Sequence, residues 1–121
     1  PHAHSIKFSP YGKNVFSADL GTDQFNIYKL QGNKMVSTDQ KYVEIAPGAG
    51  PRHFDFYPQK EVIYIINELN STITAIKKEG VIWKKFQTVS TLPLGFDEKN
   101  SCADIHVSPN GRFLYGSNRG L

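Results

Sequence analysis

The sequence predicts an all-β fold made of repeated units, and three segments of similar sequence are the main observation behind this prediction. The segments occupy residues 4–19, 52–67 and 103–118. Each carries a proline at the same internal position, so that Pro10, Pro58 and Pro109 follow one another at intervals of 48 and 51 residues. Self-similarity at a period of this length is typical of repeat proteins.

Strands are predicted on both sides of each repeated proline. Apolar residues alternate with polar ones before it, as Ile6 and Phe8 do, and a second apolar run follows it, as at 62–66. This pattern, with its Pro and Gly turns, predicts antiparallel strands. Two more strands complete each full repeat, at 24–30 and 41–45 in the first and at 72–77 and 86–90 in the second. Four antiparallel strands in about 45–50 residues are the pattern of a β-propeller blade. One small β-sandwich is the alternative, but it does not require the proline turn to recur.

The repeats divide the chain into one blade at 1–50, a second blade at 51–101 and half of a third at 102–121. Repeat units bury their faces against their neighbours, and closing a ring of about seven such blades takes roughly 340 residues. The sequence also begins without a methionine and stops directly after a strand-like run. We therefore expect part of a seven-bladed propeller, with the remaining blades of the longer protein as partners.

The composition excludes several classes of protein. The 121 residues include 14 Lys and Arg against 11 Asp and Glu, and the cations are scattered. A nucleic-acid-binding surface usually gathers its cations on one face. No apolar run approaches the roughly 18 residues of a membrane span. The single cysteine, Cys102, leaves no internal disulfide and no cysteine-based zinc site. We therefore expect no nucleic-acid partner and no membrane.

Propeller topology brings scattered ionisable residues to one mouth of the ring. The first strand of a blade lies nearest the central channel and the second runs back beside it, so the start of the first and the end of the second share a mouth. These positions, unlike the turn proline, differ between the repeats, and they include His4, Arg52, Glu68 and Arg119. An acid, an imidazole and two guanidiniums around a concave opening suit an anionic substrate. A salt-bridge cluster of Glu68 with either arginine, without function, is the alternative.

Other polar residues fall near the same mouth. Asp104 matches His53 in the repeat alignment and is a candidate to orient His4 or a substrate hydroxyl, so we assign Asp104 and His53 to substrate binding. His2 and His4 share one face of an extended strand, which makes a metal site with Asp104 an alternative. Two histidines alone are a weak signal, and we expect no metal. His53 and His106 are more typical of hydrogen-bonded inner-strand residues than of catalysts.

Six motifs in a fixed order run through the chain: PHAHSIKFSP at 1–10, DLGT at 19–22, PGAGPRHF at 47–54, NELNST at 67–72, ADIHVSP at 103–109 and SNRG at 117–120. Together they resemble the seven-bladed propeller lactonases, a family that contains 6-phosphogluconolactonases and 3-carboxy-cis,cis-muconate lactonising enzymes. The resemblance covers essentially the whole chain. It implies that His4, Arg52, Glu68 and Arg119 line the active site, because they match the positions that do so in the lactonising branch.

The resemblance implies an enzyme that opens or closes a lactone, and 6-phosphogluconolactonase activity is the favoured expectation. Lactone opening needs a general base and a donor for the developing oxyanion. Glu68 and His4 are both candidates for the base, while Arg52 and Arg119 suit a bidentate grip on carboxylate or phosphate. A muconate cyclase would use the same groups. A non-catalytic propeller scaffold is a further alternative, because fold does not fix function.

Cofactor and location follow from what the sequence contains. No phosphate-cradling glycine loop, nucleophile elbow or zinc-protease motif occurs in it. We expect no cofactor, and a small anionic sugar lactone or carboxylate as substrate. We expect the protein in the cytoplasm, with an export signal ahead of this segment as the alternative.

Overall fold

The computed structural model describes residues 1–120, which form three antiparallel sheets. The first sheet contains β1 (Ala3–Phe8), β2 (Asn14–Asp19), β3 (Gln24–Gln31) and β4 (Lys34–Glu44). The second contains β5 (Pro51–Phe56), β6 (Val62–Asn67), β7 (Thr72–Glu79) and β8 (Ile82–Ser90). The third pairs β9 (Cys102–Val107) with β10 (Leu114–Asn118). Within each sheet a strand pairs with the next one along the chain, as in a propeller blade.

The outer strand of each four-stranded sheet begins earlier than the sequence predicted, at residue 34 instead of 41 and at 82 instead of 86. Gly32 and Gly80 have φ values of 65° and 64° and come first in two-residue turns, an arrangement that tight hairpins favour. Pairing therefore resumes directly after the turn. Most of β4 and β8 is exposed, so these strands lack much of the apolar alternation that marks a half-buried strand.

The main hydrophobic core lies between the first and second sheets. The Phe25 ring stands perpendicular to the Phe54 ring at 4.8 Å and stacks on the Phe16 ring at 5.4 Å. Burying each such side chain stabilises the fold by about 1.5–3 kcal/mol. A smaller cluster, formed by Ile66, Cys102 and Ile105, joins the second sheet to the third. The alternating apolar residues of the inner strands thus hold neighbouring sheets face to face.

Tyr11 links the proline turn of the first repeat to the corresponding turn of the second. Its hydroxyl donates to the carbonyl oxygens of Tyr57, at 2.5 Å, and Val62, at 2.9 Å. Burial raises the pKa of Tyr11 to about 12, and the charges of Glu61 and Asp55 act in the same direction, while the bond to Val62 opposes them. The phenol therefore stays protonated as a donor.

The first strands of the three sheets adjoin, since β1 contacts β5 and β5 contacts β9. This contact aligns the starts of the inner strands, where the candidate site lies. On the outer faces of the stack, large apolar side chains such as Phe8 and Tyr115 are exposed. Neighbouring sheets cover such faces in a propeller. No helix in the described part of the chain is long and apolar enough to cross a bilayer.

Candidate functional site

A β-bulge occurs near the start of the inner strand in each sheet. The extra residue is His4 in β1 and Arg52 in β5, and in β9 it falls within residues 103–104. A bulge bends the strand and re-aims the side chain at that point, and bulges are frequent beside active sites. The repeat therefore offers three equivalent places at which a side chain leaves the regular alternation; two of them hold residues predicted to be catalytic, and the third includes Asp104, which was predicted to bind substrate.

Glu68 joins the two arginines of the predicted site. Its Oε1 lies 2.7 Å from Arg52 Nε and 3.2 Å from Arg119 Nη2. The side chains of Glu68 and Arg52 are 21% and 18% exposed, so solvent screens this pair less than a surface pair. Arg52 Nε is buried and its N–H does not align with the oxygen, so the contact is an ion pair without a hydrogen bond. Two cations share one anion, which leaves a net positive charge for an anionic group.

The loop that leads into Arg52 is fixed by an aspartate from the first sheet. The carboxylate of Asp23 accepts hydrogen bonds from the backbone N–H groups of Gly48 and Gly50, both at 2.8 Å. Gly50 has a φ of 69°, in the left-handed region that favours glycine. Asp23 therefore holds the PGAG segment before β5 in place, and with it the start of the strand that carries Arg52.

Backbone contacts hold Arg119 in place. Its N–H donates to the Ser101 carbonyl at 2.9 Å, and the N–H of Gly120 donates to Asn100 Oδ1 at 2.8 Å. A Cβ on Gly120 would lie 2.3 Å from the Lys99 carbonyl oxygen, so only glycine fits there. This close approach explains why glycine follows arginine in the SNRG motif.

Asp19 fixes the entry to β1 and hence the position of His4. Its Oδ1 accepts hydrogen bonds from the backbone N–H groups of His2, Gly21 and Thr22 at 2.7–3.1 Å. Burial raises the pKa of Asp19, but these donors outweigh that effect and hold the pKa below its usual range. The ionised carboxylate therefore acts as a clamp on the loop.

All four histidines of the chain form a row across the three sheets. The ring centroids of His2 and His4 are 6.3 Å apart, and those of His4 and His53 are 5.1 Å apart. His53 Nδ1 lies 3.5 Å from Asp104 Oδ1, and His106 Nε2 lies 2.9 Å from Asp104 Oδ2. One carboxylate thus stands between two imidazoles, beside the arginine cluster.

The Asp104 carboxylate is held in its ionised form. Burial raises its pKa, but the hydrogen bond with His106, the N–H of Ile105 and the charges of His106 and His53 outweigh this and lower it. The backbone is also fixed, because the N–H of Asp104 donates to Ser117 Oγ at 2.8 Å. Asp104 is therefore an anion in a defined orientation.

His53 is held in its neutral form. Burial lowers its pKa; the charge of Asp104 opposes this, and the charges of Arg52, His4 and Lys7 reinforce it. The net effect is a pKa below the ordinary value for histidine. An imidazole in this state can accept a proton at neutral pH.

An open depression adjoins the arginine cluster. Residues 69–71 and the loop residues 92 and 96–100 line it, and its volume is about 470 Å³. Leu69 follows Glu68 in the chain, and Asn100 bonds Gly120 beside Arg119. Small-molecule sites have volumes of about 300–1,000 Å³, so this space is large enough for a small substrate.

The structure brings together three of the four residues predicted to be catalytic, namely Arg52, Glu68 and Arg119. His4 lies instead against His53, and its Nδ1 is buried without a hydrogen-bond partner among the described residues. Asp104 contacts His53 and His106, whereas the sequence suggested that it would orient His4 or a substrate hydroxyl; the second of these roles stays a prediction. The catalytic and substrate-binding roles of all these residues stay predictions.

Sequence reasoning missed several residues that support this site. Asp23 anchors the loop before Arg52, and Ser5 Oγ donates to the Arg52 carbonyl at 2.6 Å; for His106, described from sequence as a hydrogen-bonded inner-strand residue, only the partner Asp104 was not foreseen. The turn-forming sequence around Asp23 was a usable signal, since such turns favour Asp. The partners of Ser5 and His106 come from other repeats or depend on side-chain orientation, and no local pattern marks them.

The arrangement offers no metal centre. Within residues 1–120, no group of three or more His, Cys, Asp or Glu side chains is placed to hold a metal ion. The suggested combination of His2, His4 and Asp104 therefore has no support from the geometry of the described residues.

Four-stranded antiparallel sheets with adjoining inner strands define part of a β-propeller, and a cluster of two arginines and one glutamate lies at one end of them. The chain belongs to the family of seven-bladed propeller lactonases, because the family model described as "Lactonase, 7-bladed beta-propeller" matches residues 1–121. The predicted family and fold class are thereby confirmed. The division into blades at 50/51 and 101/102 stays a prediction.

Relatives with curated names agree with this assignment. The chain is 36% identical to the 6-phosphogluconolactonase of Bacillus subtilis, covering 99% of this chain and 34% of the relative. It is 37% identical to the 6-phosphogluconolactonase of Yersinia enterocolitica, covering 98% of this chain and 37% of the relative. The chain therefore spans about a third of the length of these relatives.

Solved structures agree as well. A periplasmic gluconolactonase from Pseudomonas aeruginosa superposes with a TM-score of 0.89 at 33% identity, covering 98% of this chain and 34% of that one. A protein from Lactobacillus plantarum superposes with a TM-score of 0.87 at 29% identity, covering 98% and 35%.

Proposed function

We propose that the full-length protein carrying this sequence hydrolyses the lactone ring of a phosphorylated sugar acid, as a 6-phosphogluconolactonase. The observation that carries the proposal is the convergence of Arg52 and Arg119, from different sheets, on one oxygen of Glu68. Guanidinium groups bind phosphate and carboxylate in a bidentate manner. The names of relatives at 36–37% identity support the same substrate.

In this proposal Glu68 sets the spacing between the arginines, and the arginines bind the anionic end of the substrate. A guanidinium also serves as the donor that stabilises the oxyanion formed when water adds to the lactone carbonyl. His53, Asp104 and His4 lie beside the lactone ring in this arrangement.

The substrate's phosphate is the part of this proposal that an experiment resolves most directly. Full-length protein is assayed with freshly generated 6-phosphogluconolactone and with gluconolactone, each corrected for spontaneous opening. We expect faster turnover of the phosphorylated lactone, and we expect Arg52→Ala and Glu68→Gln to abolish most of it while the proteins remain folded. Equal rates with both lactones would instead favour an unphosphorylated substrate, such as the name of the Pseudomonas relative suggests.

Loss of activity on both lactones by well-folded protein would reject the proposal. Carboxylated muconolactones would then be assayed, because a lactonising enzyme would use the same arginines. A protein inactive on those as well would be a scaffold. We also propose a cytoplasmic location, because a phosphorylated sugar does not cross membranes freely, and fractionation of cells that express the full-length protein tests this.

A further inference from the structure

Glu68 is poorly suited to remove a proton from water in this arrangement. Its Oε1 lies 2.7 Å from Arg52 Nε and 3.2 Å from Arg119 Nη2. Protonation of the carboxylate would weaken both ion pairs at the moment when the arginines must hold the substrate. Glu68 therefore organises the cationic groups, and another residue has to accept the proton.

His4 lacks an acceptor that would orient its ring. Its Nδ1 is buried without a hydrogen-bond partner among the residues described. A histidine that acts as a base usually donates from one ring nitrogen to a carboxylate or carbonyl, which fixes the tautomer and leaves the other nitrogen free to accept. His4 packs instead edge-on against His53.

His53 has the orientation that His4 lacks. Its Nδ1 lies 3.5 Å from Asp104 Oδ1, an ion-pair distance longer than an ordinary hydrogen bond, and catalytic hydrogen bonds are often this long before substrate binds. With Nδ1 donating to this carboxylate, Nε2 keeps its lone pair. The side chain is about one-third exposed, so Nε2 can be reached by water and substrate. Arg52 precedes His53 in the chain, so base and anion-binding group share one strand.

Asp104 is in turn held by His106, whose Nε2 lies 2.9 Å from Oδ2. His106 thus fixes one oxygen of the Asp104 carboxylate, and the other oxygen faces the neutral imidazole of His53. The groups that surround His53 are Asp104 on β9, Arg52 on its own strand, and His4 and Lys7 on β1. The charges of Arg52, His4 and Lys7 lower the pKa of His53 and so favour its neutral imidazole, whereas the charge of Asp104 opposes them.

We propose that His53 is the general base of the lactonase reaction, and that Asp104, supported by His106, is the residue that positions it. This inference rests on the proposed lactonase function. His53 Nε2 takes a proton from water as the water oxygen bonds to the lactone carbonyl carbon, and the carbonyl electron pair moves to oxygen. When the C=O bond re-forms, the bond to the ring oxygen breaks, and the proton on Nε2 passes to that oxygen. The product is the open hydroxy acid.

The test uses full-length protein and separates turnover from binding. His53→Gln should lower kcat by about 10²–10⁴-fold and leave KM within about threefold of wild type, because a general base acts in the chemical step. His2→Gln is the matched control, since it removes an exposed imidazole at the far end of the row, and we expect it to keep wild-type turnover.

A second variant separates positioning from mere structure. Asp104→Asn should lower kcat by about tenfold or more and move the acidic limb of the pH profile to lower pH, because the lost negative charge had raised the pKa of His53. Nitrogen NMR should show His53 changing from the Nδ1–H to the Nε2–H tautomer. Asp104→Glu should restore part of the rate.

The possible outcomes distinguish this inference from the proposed function. Inactive, folded wild-type protein would overturn the lactonase proposal, and the role of His53 with it. Active wild-type protein whose turnover survives His53→Gln within about threefold would overturn the role of His53 alone. An Asp104→Asn protein with an unmoved pH limb and an unchanged tautomer would overturn the positioning role.

Discussion

Glu68 and Arg119 lie on different sheets, yet Glu68 Oε1 is 3.2 Å from Arg119 Nη2. Glu68 follows the last residue of β6, and Arg119 follows the last residue of β10, so both occupy the same position in successive repeats. The backbone joins the two regions as well, because the Cys102 N–H donates to the Glu68 carbonyl at 3.1 Å and Arg119 Nη2 donates to the Cys102 carbonyl at 3.2 Å. Because the repeats stack side by side, residues at the same position in two successive repeats, Glu68 and Arg119, come into contact.

Replacing Arg119 with Lys keeps the charge and removes the planar fork that binds carboxylate or phosphate. We expect KM for the phosphorylated lactone to rise about tenfold, which corresponds to the loss of one charged hydrogen bond of about 1.5 kcal/mol. Steady-state kinetics on full-length protein measures this change. Arg112→Lys, at an exposed turn, is the control and should behave as wild type. An unchanged KM in Arg119→Lys would show that Arg119 does not bind the substrate.

Substitutions at Glu68 and Arg119 should together lower activity by less than the sum of their separate effects, because Glu68 holds Arg119 in place. We expect the effects of Glu68→Gln and Arg119→Lys on kcat/KM to overlap in the double variant by about 0.5–3 kcal/mol. A double-mutant cycle measures this coupling free energy from the kcat/KM values of wild type, the two single variants and the double variant. Glu61→Gln combined with Arg119→Lys is the control, since Glu61 pairs with Lys78 on the surface, and its effect should simply add. Additive losses for Glu68 would mean that the ion pair does not organise the site.

Asp23→Asn should destabilise the protein. Asp23 uses both carboxylate oxygens to accept from Gly48 and Gly50, and an asparagine amide would present N–H to one of these donors. We expect the free energy of unfolding to fall by about 1–3 kcal/mol, as read from urea denaturation, and kcat/KM to fall as the loop before Arg52 loosens. Asp39→Asn, on the exposed strand β4, should change neither. If Asp23→Asn unfolds at the same urea concentration as wild type, the loop does not depend on this contact.

Tyr11→Phe should alter the dependence of stability on alkaline pH. The folded pKa of Tyr11 is raised to about 12 from the ordinary value of 10.0, so its contribution is complete below pH 10 and is lost as the pH rises through 12. We expect the variant to be less stable than wild type by about 1 kcal/mol below pH 10, because two partly buried carbonyl groups lose a donor.

The difference between wild type and Tyr11→Phe should then shrink between pH 10 and about 12. Urea denaturation across this range supplies the comparison, with the exposed Tyr42→Phe as the control. A constant difference at every pH would mean that the Tyr11 phenol does not ionise in the folded protein within this window.

The strands of the core could be predicted from the sequence because a half-buried strand shows a local alternation of apolar and polar residues. Phe54 and Phe56 alternate with polar residues, and Pro10, Pro58 and Pro109 repeat at one period, so propeller blades followed from pattern alone. The starts of β4 and β8 could not be predicted in the same way. An exposed strand is held mainly by backbone hydrogen bonds to its neighbour, and these bonds put little constraint on the choice of side chains.

The sequence by itself determined which ionisable residues reach one end of the sheets. The repeat period places Arg52 near the start of a first strand, and Glu68 and Arg119 directly after the ends of second strands, and antiparallel pairing brings these positions to the same end of the sheets. Only the tertiary structure decided which of them touch, because a contact such as that of His53 with Asp104 depends on bulges that re-aim side chains and on the sub-ångström fit of neighbouring sheets. The sequence pattern shows where a residue lies along its own strand. Contacts between strands of different repeats depend on how the sheets pack in three dimensions.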